Sequence, residues 1–368
     1  MTTQKLTLTA AALMAAPALL PSSAVADAMS DALAVIEAHR EIPTFEAQGA
    51  PFDAKACMAD KSVFSIPVSM AIPFNVELQK AMKRAAADVG FTYTTWENQG
   101  ASDTWIQGVN QAIAQGYDLV DVAGGLNPEM LGPQLREASE AGLKVTTSHL
   151  YDESQEQADF VDGSAKVDFR GAGELLAAWA FVETEGKPNV LIIGSDDVLP
   201  TGPFVEQIQK SLSEYCPDCK QDYLNVPVNE WATRIQSGTQ SALLSDPGLN
   251  YILPIYDSMT QFVTPALRIA GATDVGMASF NGTPFVLDMV REGTVQMNIG
   301  ESLGWAGYAA VDAQMRTLCG LEVPETLGIP LLVFDAENVE TAGVPADFDS
   351  GYGDTHLAGF RKLWGLED

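Results

Sequence analysis

Basic residues are scarce in this sequence. It has 20 lysines and arginines against 49 aspartates and glutamates, which gives a formal net charge of −29. Nucleic acids and anionic lipids are bound largely through Lys and Arg, so we expect neither as a partner. The three histidines, His39, His149 and His356, are scattered, and the four cysteines include only one close pair. Because zinc would need a second such pair of ligands, we expect no metal site.

The sequence also lacks the common catalytic and nucleotide-binding motifs. It has no P-loop and no G-x-S-x-G elbow. Gly171-Ala172-Gly173 is similar to the start of a dinucleotide fingerprint, but Leu176 replaces the third glycine and no strand directly precedes it. No nucleophile–base pair can be identified either. We therefore expect a protein that is not an enzyme and that carries no cofactor.

No apolar run is long enough to span a bilayer, which takes about 20 residues in a helix. The run Leu6–Leu20 follows the lone charge of Lys5 and precedes Ala24-Val25-Ala26, an A-x-A cleavage site. We therefore expect residues 1–26 to be a signal peptide, cleaved near Ala26, and the rest of the chain to be exported.

The cysteines agree with export, because disulfides persist in oxidising compartments. Cys216-Pro-Asp-Cys219 follows a helical stretch, whereas the thioredoxin motif opens a helix. We expect a local disulfide between Cys216 and Cys219. By elimination, a second disulfide between Cys57 and Cys319 is the working hypothesis.

Hydrophobic residues make up 46% of the 368-residue chain, enough for two domains with full cores. After a leader at residues 27–61, strand patterns alternate with helical patterns of ten or more residues. The predicted strands begin at Ser62, Phe91, Leu119, Leu143, Asn189, Asp222, Tyr251, Val275, Val295 and Ile329. This alternation predicts an α/β fold with parallel sheets, and its two series suggest two similar halves around a cleft.

Several predicted strands stop abruptly at polar residues. The clearest is Val275–Pro284 (VGMASFNGTP), in which an apolar run gives way to a turn; Tyr251–Asp257 (YILPIYD) and Val295–Glu301 (VQMNIGE) end in a similar way. Side chains at the carboxyl ends of parallel strands point into the crevice where open α/β sheets hold ligands. The strand ends therefore predict a binding cleft.

The order of these motifs resembles the type I periplasmic binding proteins, the ribose- and galactose-binding family of ABC importers. Ser69–Asn75 (SMAIPFN) resembles the family's N/I-P-F-F loop, and Phe280–Pro284 (FNGTP) is similar to its F-D-G-T-P signature. Ile255–Met259 resembles the N-D-x-M turn, and Asn298–Glu301 the T-I-A-Q segment at the hinge. The resemblance covers roughly residues 62–335.

This resemblance implies two Rossmann-like lobes with parallel sheets, joined by a three-segment hinge. The expected division is lobe 1 at residues 62–163 and 302–328, lobe 2 at 164–301 and 329–340, and a solvated C-terminal tail at 341–368. Cys57 and Cys319 would then both lie at the base of lobe 1, which favours their pairing.

Carried over by position, the resemblance implies these ligand-binding residues: Phe74, Asn75, His149, Trp231, Tyr256, Asn281 and Glu301. Aromatic faces pack on sugars or cations, and Asn and Glu hold hydroxyls or amines. The non-binding alternatives are core packing for Phe74, a cover on its own helix for Trp231, a strand end for Tyr256, a turn for Asn281 and the hinge for Glu301. Asp257 is expected to cap the following helix.

The sequence departs from the family's sugar binders, which usually place Asp-Arg where this chain has His149-Leu150. A second family arginine is also missing, from the loop Ser195–Gly202. Bidentate arginine is a standard partner of carboxylates, so we do not expect a carboxylate ligand. A polyol, an unusual sugar or an amine-bearing compound suits the remaining residues.

The function implied is that of a monomeric periplasmic solute-binding component, which delivers a small polar ligand, above all a sugar or polyol, to the inner-membrane permease of an ABC importer. The alternative is a periplasmic sensor that presents its closed form to a histidine kinase or chemoreceptor. Both would use the same two lobes.

Overall fold

Two β-sheets organise the computed structural model, which describes residues 23–366. The strands are β1 Ser62–Pro67, β2 Thr92–Thr95, β3 Leu119–Ala123, β4 Lys144–Asp152, β5 Gly163–Val167, β6 Asn189–Gly194, β7 Lys220–Asn225, β8 Tyr251–Pro254, β9 Gly276–Asn281, β10 Met297–Gly300 and β11 Leu332–Asp335. The helices are α1 Ser23–Glu37, α2 Ala54–Cys57, α3 Pro73–Val89, α4 Ser102–Gln115, α5 Gly132–Glu140, α6 Phe169–Glu183, α7 Thr201–Tyr215, α8 Trp231–Ser245, α9 Asp257–Ala270, α10 Pro284–Arg291, α11 Leu303–Cys319 and α12 Thr355–Leu363.

The first sheet has the strand order β2-β1-β3-β4-β5 and is parallel throughout. The second has the order β11-β10-β9-β8-β6-β7 and is parallel except that β11 runs antiparallel to β10. Most central strands are buried along their whole length, as expected for parallel sheets covered by helices on both faces. The predicted fold of two parallel-sheet α/β lobes is confirmed.

The chain passes between the two sheets after β5, after β10 and before β11. After the second passage α11 returns to the first lobe, where it packs on α3, β4 and β5. The sequence-based boundary at residue 163 is wrong, because β5 pairs with β4 and carries residues 163–167 into the first sheet. In this short strand (GSAKV) only Ala165 and Val167 alternate with polar residues, a pattern too short to identify a strand without its pairing to β4.

The leader contacts both lobes. Ala32 and Ile36 of α1 are buried in the core of lobe 2. The His39 carbonyl then accepts a hydrogen bond from the Val333 backbone at 2.8 Å, beside β11. Farther on, Phe45 packs on Trp305 of lobe 1 with 5.6 Å between ring centroids. The predicted signal peptide lies outside the described residues, except for residues 23–26 at the start of α1.

The C-terminal segment also contacts both lobes, and the expectation of a solvated tail is wrong. Ala342 and Tyr352 are buried in the core of lobe 2. Asp349 pairs with Arg84 on α3 of lobe 1. At the end, Trp364 stacks on Tyr308 with centroids 5.5 Å apart, and it is fully buried. The acidic and glycine residues at 341–354 led to the expectation of a tail in solvent. They are followed by α12, in which apolar side chains recur every three or four positions.

Both expected disulfides are present, between Cys57 and Cys319 with Cα atoms 5.9 Å apart, and between Cys216 and Cys219 with Cα atoms 5.3 Å apart. The first joins α2 of the leader to the end of α11. Within residues 23–366, no helix has the length and apolarity needed to cross a membrane.

Asp121 in lobe 1 and Asp257 in lobe 2 are fully buried carboxylates. Asp121 on β3 accepts hydrogen bonds from the hydroxyls of Ser65, Thr146 and Ser148 at 2.8–3.0 Å. Burial raises the pKa of Asp121 to about 6, because the charged form loses its hydration, and these hydrogen bonds only partly offset that effect. Asp257, at the start of α9, has its pKa raised to about 6 by burial in the same way.

As the pH rises from 4 to 6, we expect the free energy of unfolding to fall less in the Asp121→Asn variant than in the wild type. A carboxyl whose pKa is raised from 3.8 to about 6 holds its proton more tightly in the folded state, so the free energy of unfolding falls as pH rises through this window. A shift of about two units corresponds to about 3 kcal/mol. Denaturant titrations at several pH values measure this loss. The exposed Asp222→Asn is the matched control, and equal losses in wild type and Asp121→Asn would contradict the assignment.

Candidate ligand-binding site

The predicted site residues lie where strands end between the two lobes. In lobe 1, Phe74 opens α3 after β1, and His149 lies on the extended β4. In lobe 2, Tyr256 follows β8 and Asn281 ends β9. Glu301 follows β10, directly before the chain returns to lobe 1. Because parallel strands in one sheet end at the same edge, these side chains converge on the cleft.

A cavity of about 40 Å³ lies between the lobes at these strand ends. Its lining includes five of the predicted residues, Phe74, His149, Trp231, Tyr256 and Asn281, together with Val68, Ile72, Gly124, Gly125, Phe169, Val198, Pro200, Val228 and Ser258. Leu126 of lobe 1 and Val198 of lobe 2 form an antiparallel β-bridge beside it. At roughly 10–15 Å³ per water, the cavity has room for only a few waters. The lobes are therefore nearly shut around it.

Aromatic side chains make up much of the cavity wall. The rings of Trp231 and Tyr256 lie 6.5 Å apart with an interplanar angle of 25°. His149 packs between Phe74 and Phe169, at centroid distances of 4.6 and 5.2 Å. The Trp231 indole nitrogen donates to the Ser195 hydroxyl at 2.6 Å, which fixes the orientation of the ring. The wall is thus built from both lobes.

Glu301 lies behind the wall rather than in it. His149 Nε2 is 2.7 and 2.8 Å from its two carboxylate oxygens, and Asn281 Nδ2 donates to Oε1 at 3.0 Å. The Glu301 carboxylate is fully buried. In this structure it positions two residues that do line the cavity, one from each lobe.

The backbone around Glu301 is strained. His149, Asn281 and Ser302 have φ angles of 56°, 141° and 50°, a region that non-glycine residues seldom adopt. Such conformations cost on the order of 1–3 kcal/mol each and tend to occur at binding sites and switches. Their convergence on one carboxylate supports a functional role for this corner of the cleft.

Asn75 does not line the cavity. Its Nδ2 donates to the Ser69 carbonyl at 3.0 Å, and its Oδ1 is buried with no hydrogen-bond partner among the described residues. A Cβ built on Gly124 would lie 1.8 Å from Asn75 Oδ1, so the amide packs directly against a lining residue. Its position is one layer behind the wall.

The sequence did not identify Phe169 or Ser258 as site residues. Phe169 follows β5. Because the sequence analysis did not predict β5, it could not place Phe169 at a strand end. Ser258 belongs to the Ile255–Met259 motif, and its hydroxyl is buried without a partner in the described chain. Asp257 does not cap α9 as expected. Its carboxylate instead accepts hydrogen bonds from Ser279 and the Thr283 backbone, at 2.6 and 2.7 Å, and so holds the turn after β9.

Two α/β lobes with an aromatic-walled cavity at their strand ends define a two-lobed ligand-binding protein. The chain belongs to the periplasmic binding protein family, since the periplasmic binding protein domain model matches residues 63–322. The resemblance drawn from the motifs is therefore confirmed. A family of binding proteins also agrees with the expectation that the chain is not an enzyme. Within the described part of the chain, no three His, Cys, Asp or Glu side chains are placed to hold a metal ion.

Solved structures share this fold at low sequence identity. An ABC sugar transporter subunit from Rhodobacter sphaeroides is 21% identical, with a TM-score of 0.66 over 76% of this chain and 99% of its own. An ABC transporter solute-binding protein from Agrobacterium vitis, with bound allitol, is 18% identical, with a TM-score of 0.68 over 77% and 98%. Another from Mycobacterium smegmatis, with bound glycerol, is 18% identical, with a TM-score of 0.69 over 80% and 100%. No curated protein sequence matches the chain.

Proposed function

We propose that this chain is the periplasmic solute-binding component of an ABC importer, which binds a small polar solute in the inter-lobe cleft and delivers it to an inner-membrane permease. The observation that carries the proposal is the cavity between the strand ends of both lobes, with its aromatic wall. The expected export signal at residues 1–26 agrees with a periplasmic location. A monomer suffices, because one chain supplies both walls.

A sugar or polyol is the solute class that the related structures support. The Agrobacterium vitis protein holds allitol and the Mycobacterium smegmatis protein holds glycerol. The cavity wall here has the aromatic faces that pack on such molecules. Neither a lysine nor an arginine lines it among the described residues, which disfavours a carboxylate ligand.

Closure would follow from contacts that exist only when the lobes meet. Phe74 and His149 come from lobe 1, and Trp231, Tyr256 and Asn281 from lobe 2. A solute between them gains the second set of contacts only in the closed form, so binding shifts the population toward closure. The closed face is what a permease would recognise.

A panel of sugars, polyols and amines tests the proposal by tryptophan fluorescence and thermal melting. We expect at least one compound to change the fluorescence and raise the melting temperature. Trp231→Ala should weaken its binding about tenfold or more, because a central buried aromatic contact is lost. Trp179→Phe is the control, since Trp179 lies outside the cavity lining and its indole nitrogen has no partner in the described chain. If the whole panel leaves both signals unchanged, the receptor function is refuted.

A further inference from the structure

The charges around the cleft have one sign. A second cavity of about 640 Å³ forms the cleft mouth, and its lining includes Asp103, Asp197 and Glu230 but no lysine or arginine among the described residues. Glu230 is paired with Arg234, whereas neither aspartate is in an ion pair with a described residue. Burial, together with the neighbouring charges of Asp196 and Glu230, raises the pKa of Asp197, as expected in a negative field.

The inner cavity has no lysine or arginine among its described lining residues. The Glu301 carboxylate, behind the wall, contacts the His149 imidazole that lines the cavity. From mouth to floor, the charges that a ligand meets therefore disfavour an anion and favour a cation.

One polar group of the inner wall is still free to bind a ligand. The Trp231 indole already donates to Ser195 and the Asn281 amide to Glu301. The Ser258 hydroxyl is buried in the wall and has no partner in the described chain. Its oxygen can accept a hydrogen bond from an ammonium group, which only donates.

The wall itself suits a cation. Phe74, Phe169, Trp231 and Tyr256 surround the cavity. Aromatic faces attract an ammonium group, and most strongly where water is excluded.

We infer that the cleft takes a small organic cation, an amine- or ammonium-bearing polyol, sugar or alcohol, rather than its neutral counterpart. This inference rests on the proposed function and narrows its solute class. It stands on the acidic mouth, the unpartnered Ser258 hydroxyl and the aromatic wall together.

Matched pairs that differ mainly in charge test the inference by calorimetry with the full exported chain. The probes are glucosamine against glucose, glucamine against sorbitol, and choline against its uncharged isostere with carbon in place of nitrogen. We expect at least one cation to bind about tenfold more tightly than its neutral partner, the factor that a single cation–π contact supplies. Equal or tighter binding of the neutral partner in every pair that binds would overturn the inference.

Two variants separate the sources of the preference. Asp103→Asn with Asp197→Asn leaves the buried wall untouched, and it should weaken cation binding about two- to threefold and reduce its salt dependence. Glu301→Gln should reduce the tenfold preference itself. Asp222→Asn, an exposed carboxylate on β7, is the control and should change neither. An unaltered preference in both test variants would overturn the inference.

Failure of the inference and failure of the proposed function give different results. If glucose, sorbitol or another neutral solute binds at least as tightly as its charged counterpart, the preference for a cation is refuted but the proposed receptor function stands. If no charged or neutral compound binds, and no member of the wider sugar and polyol panel binds either, both the inference and the proposed function are refuted.

Discussion

Replacing Cys57 and Cys319 together by serine should lower the free energy of unfolding by about 5–6 kcal/mol. The disulfide joins residues 262 positions apart, so the loop it closes contains strands β1 to β10. A cross-link restricts the unfolded chain more as its loop lengthens, and a loop of about 100 residues already corresponds to about 4.7 kcal/mol in the chain-entropy model. Denaturant unfolding of the oxidised wild type and the double variant measures the difference.

The second disulfide provides a matched control within the same chain. Cys216 and Cys219 are only 3 positions apart, and the same relation assigns their closure about 2 kcal/mol. Serine substitution of this pair should therefore cost about a third as much as substitution of the long-range pair. If the local pair costs as much as the long-range pair, loop length is not the source of the stabilisation.

The sequence predicts the two lobes well, because along most of the chain the spacing of apolar residues matches the burial of the strands and helices that they form. Leu119–Ala123 (LVDVA) and Tyr251–Pro254 (YILP) are mostly apolar runs, and both are strands with the predicted limits. Gly163–Val167 (GSAKV) has only a short and weakly apolar alternation, so its strand conformation depends on tertiary pairing with β4. Phe169 is missed for the same reason.

The residues of the site are harder to predict than the fold, because their roles depend on what lies between them. Trp231, Tyr256 and Asn281 line the cavity where the motifs place them, whereas Glu301 and Asn75 lie one layer behind. Motif order locates a strand end but does not show whether a side chain forms the wall or supports it. The contact between His149 and Glu301 joins residues 152 positions apart, a distance that no local pattern spans.

The terminal segments add to the connections between the lobes. The periplasmic binding protein domain match ends at residue 322 and begins at 63. Outside it, the leader runs from the core of lobe 2 to Phe45 on lobe 1, and the C-terminal segment runs from Tyr352 to Trp364. These two segments therefore connect the lobes in addition to the three hinge passages, and both have to change if the cleft opens.

Tyr352, in the C-terminal segment, packs behind the binding site. A Cβ built on Gly300 would lie 1.9 Å from the Tyr352 hydroxyl, and one on Gly282 would lie 2.4 Å from it. These glycines flank Glu301 and Asn281 in sequence. Burial, with the carboxylates of Glu301 and Asp257 nearby, raises the pKa of Tyr352, so the side chain stays neutral behind the site. Its ring thus supports the two segments that carry the floor of the cleft.

Replacing Tyr352 by alanine should lower the free energy of unfolding by about 4 kcal/mol, since a fully buried aromatic ring is exchanged for a cavity. It should also weaken solute binding, because Asn281 and Glu301 lose the packing behind them. Tyr352→Phe is the control. The hydroxyl makes no hydrogen bond of normal geometry within the described chain, so its removal should leave stability unchanged or raise it by up to about 1 kcal/mol. Denaturant unfolding and calorimetry on both variants decide the matter, and wild-type stability and affinity in Tyr352→Ala would show that the C-terminal crossing does not support the site.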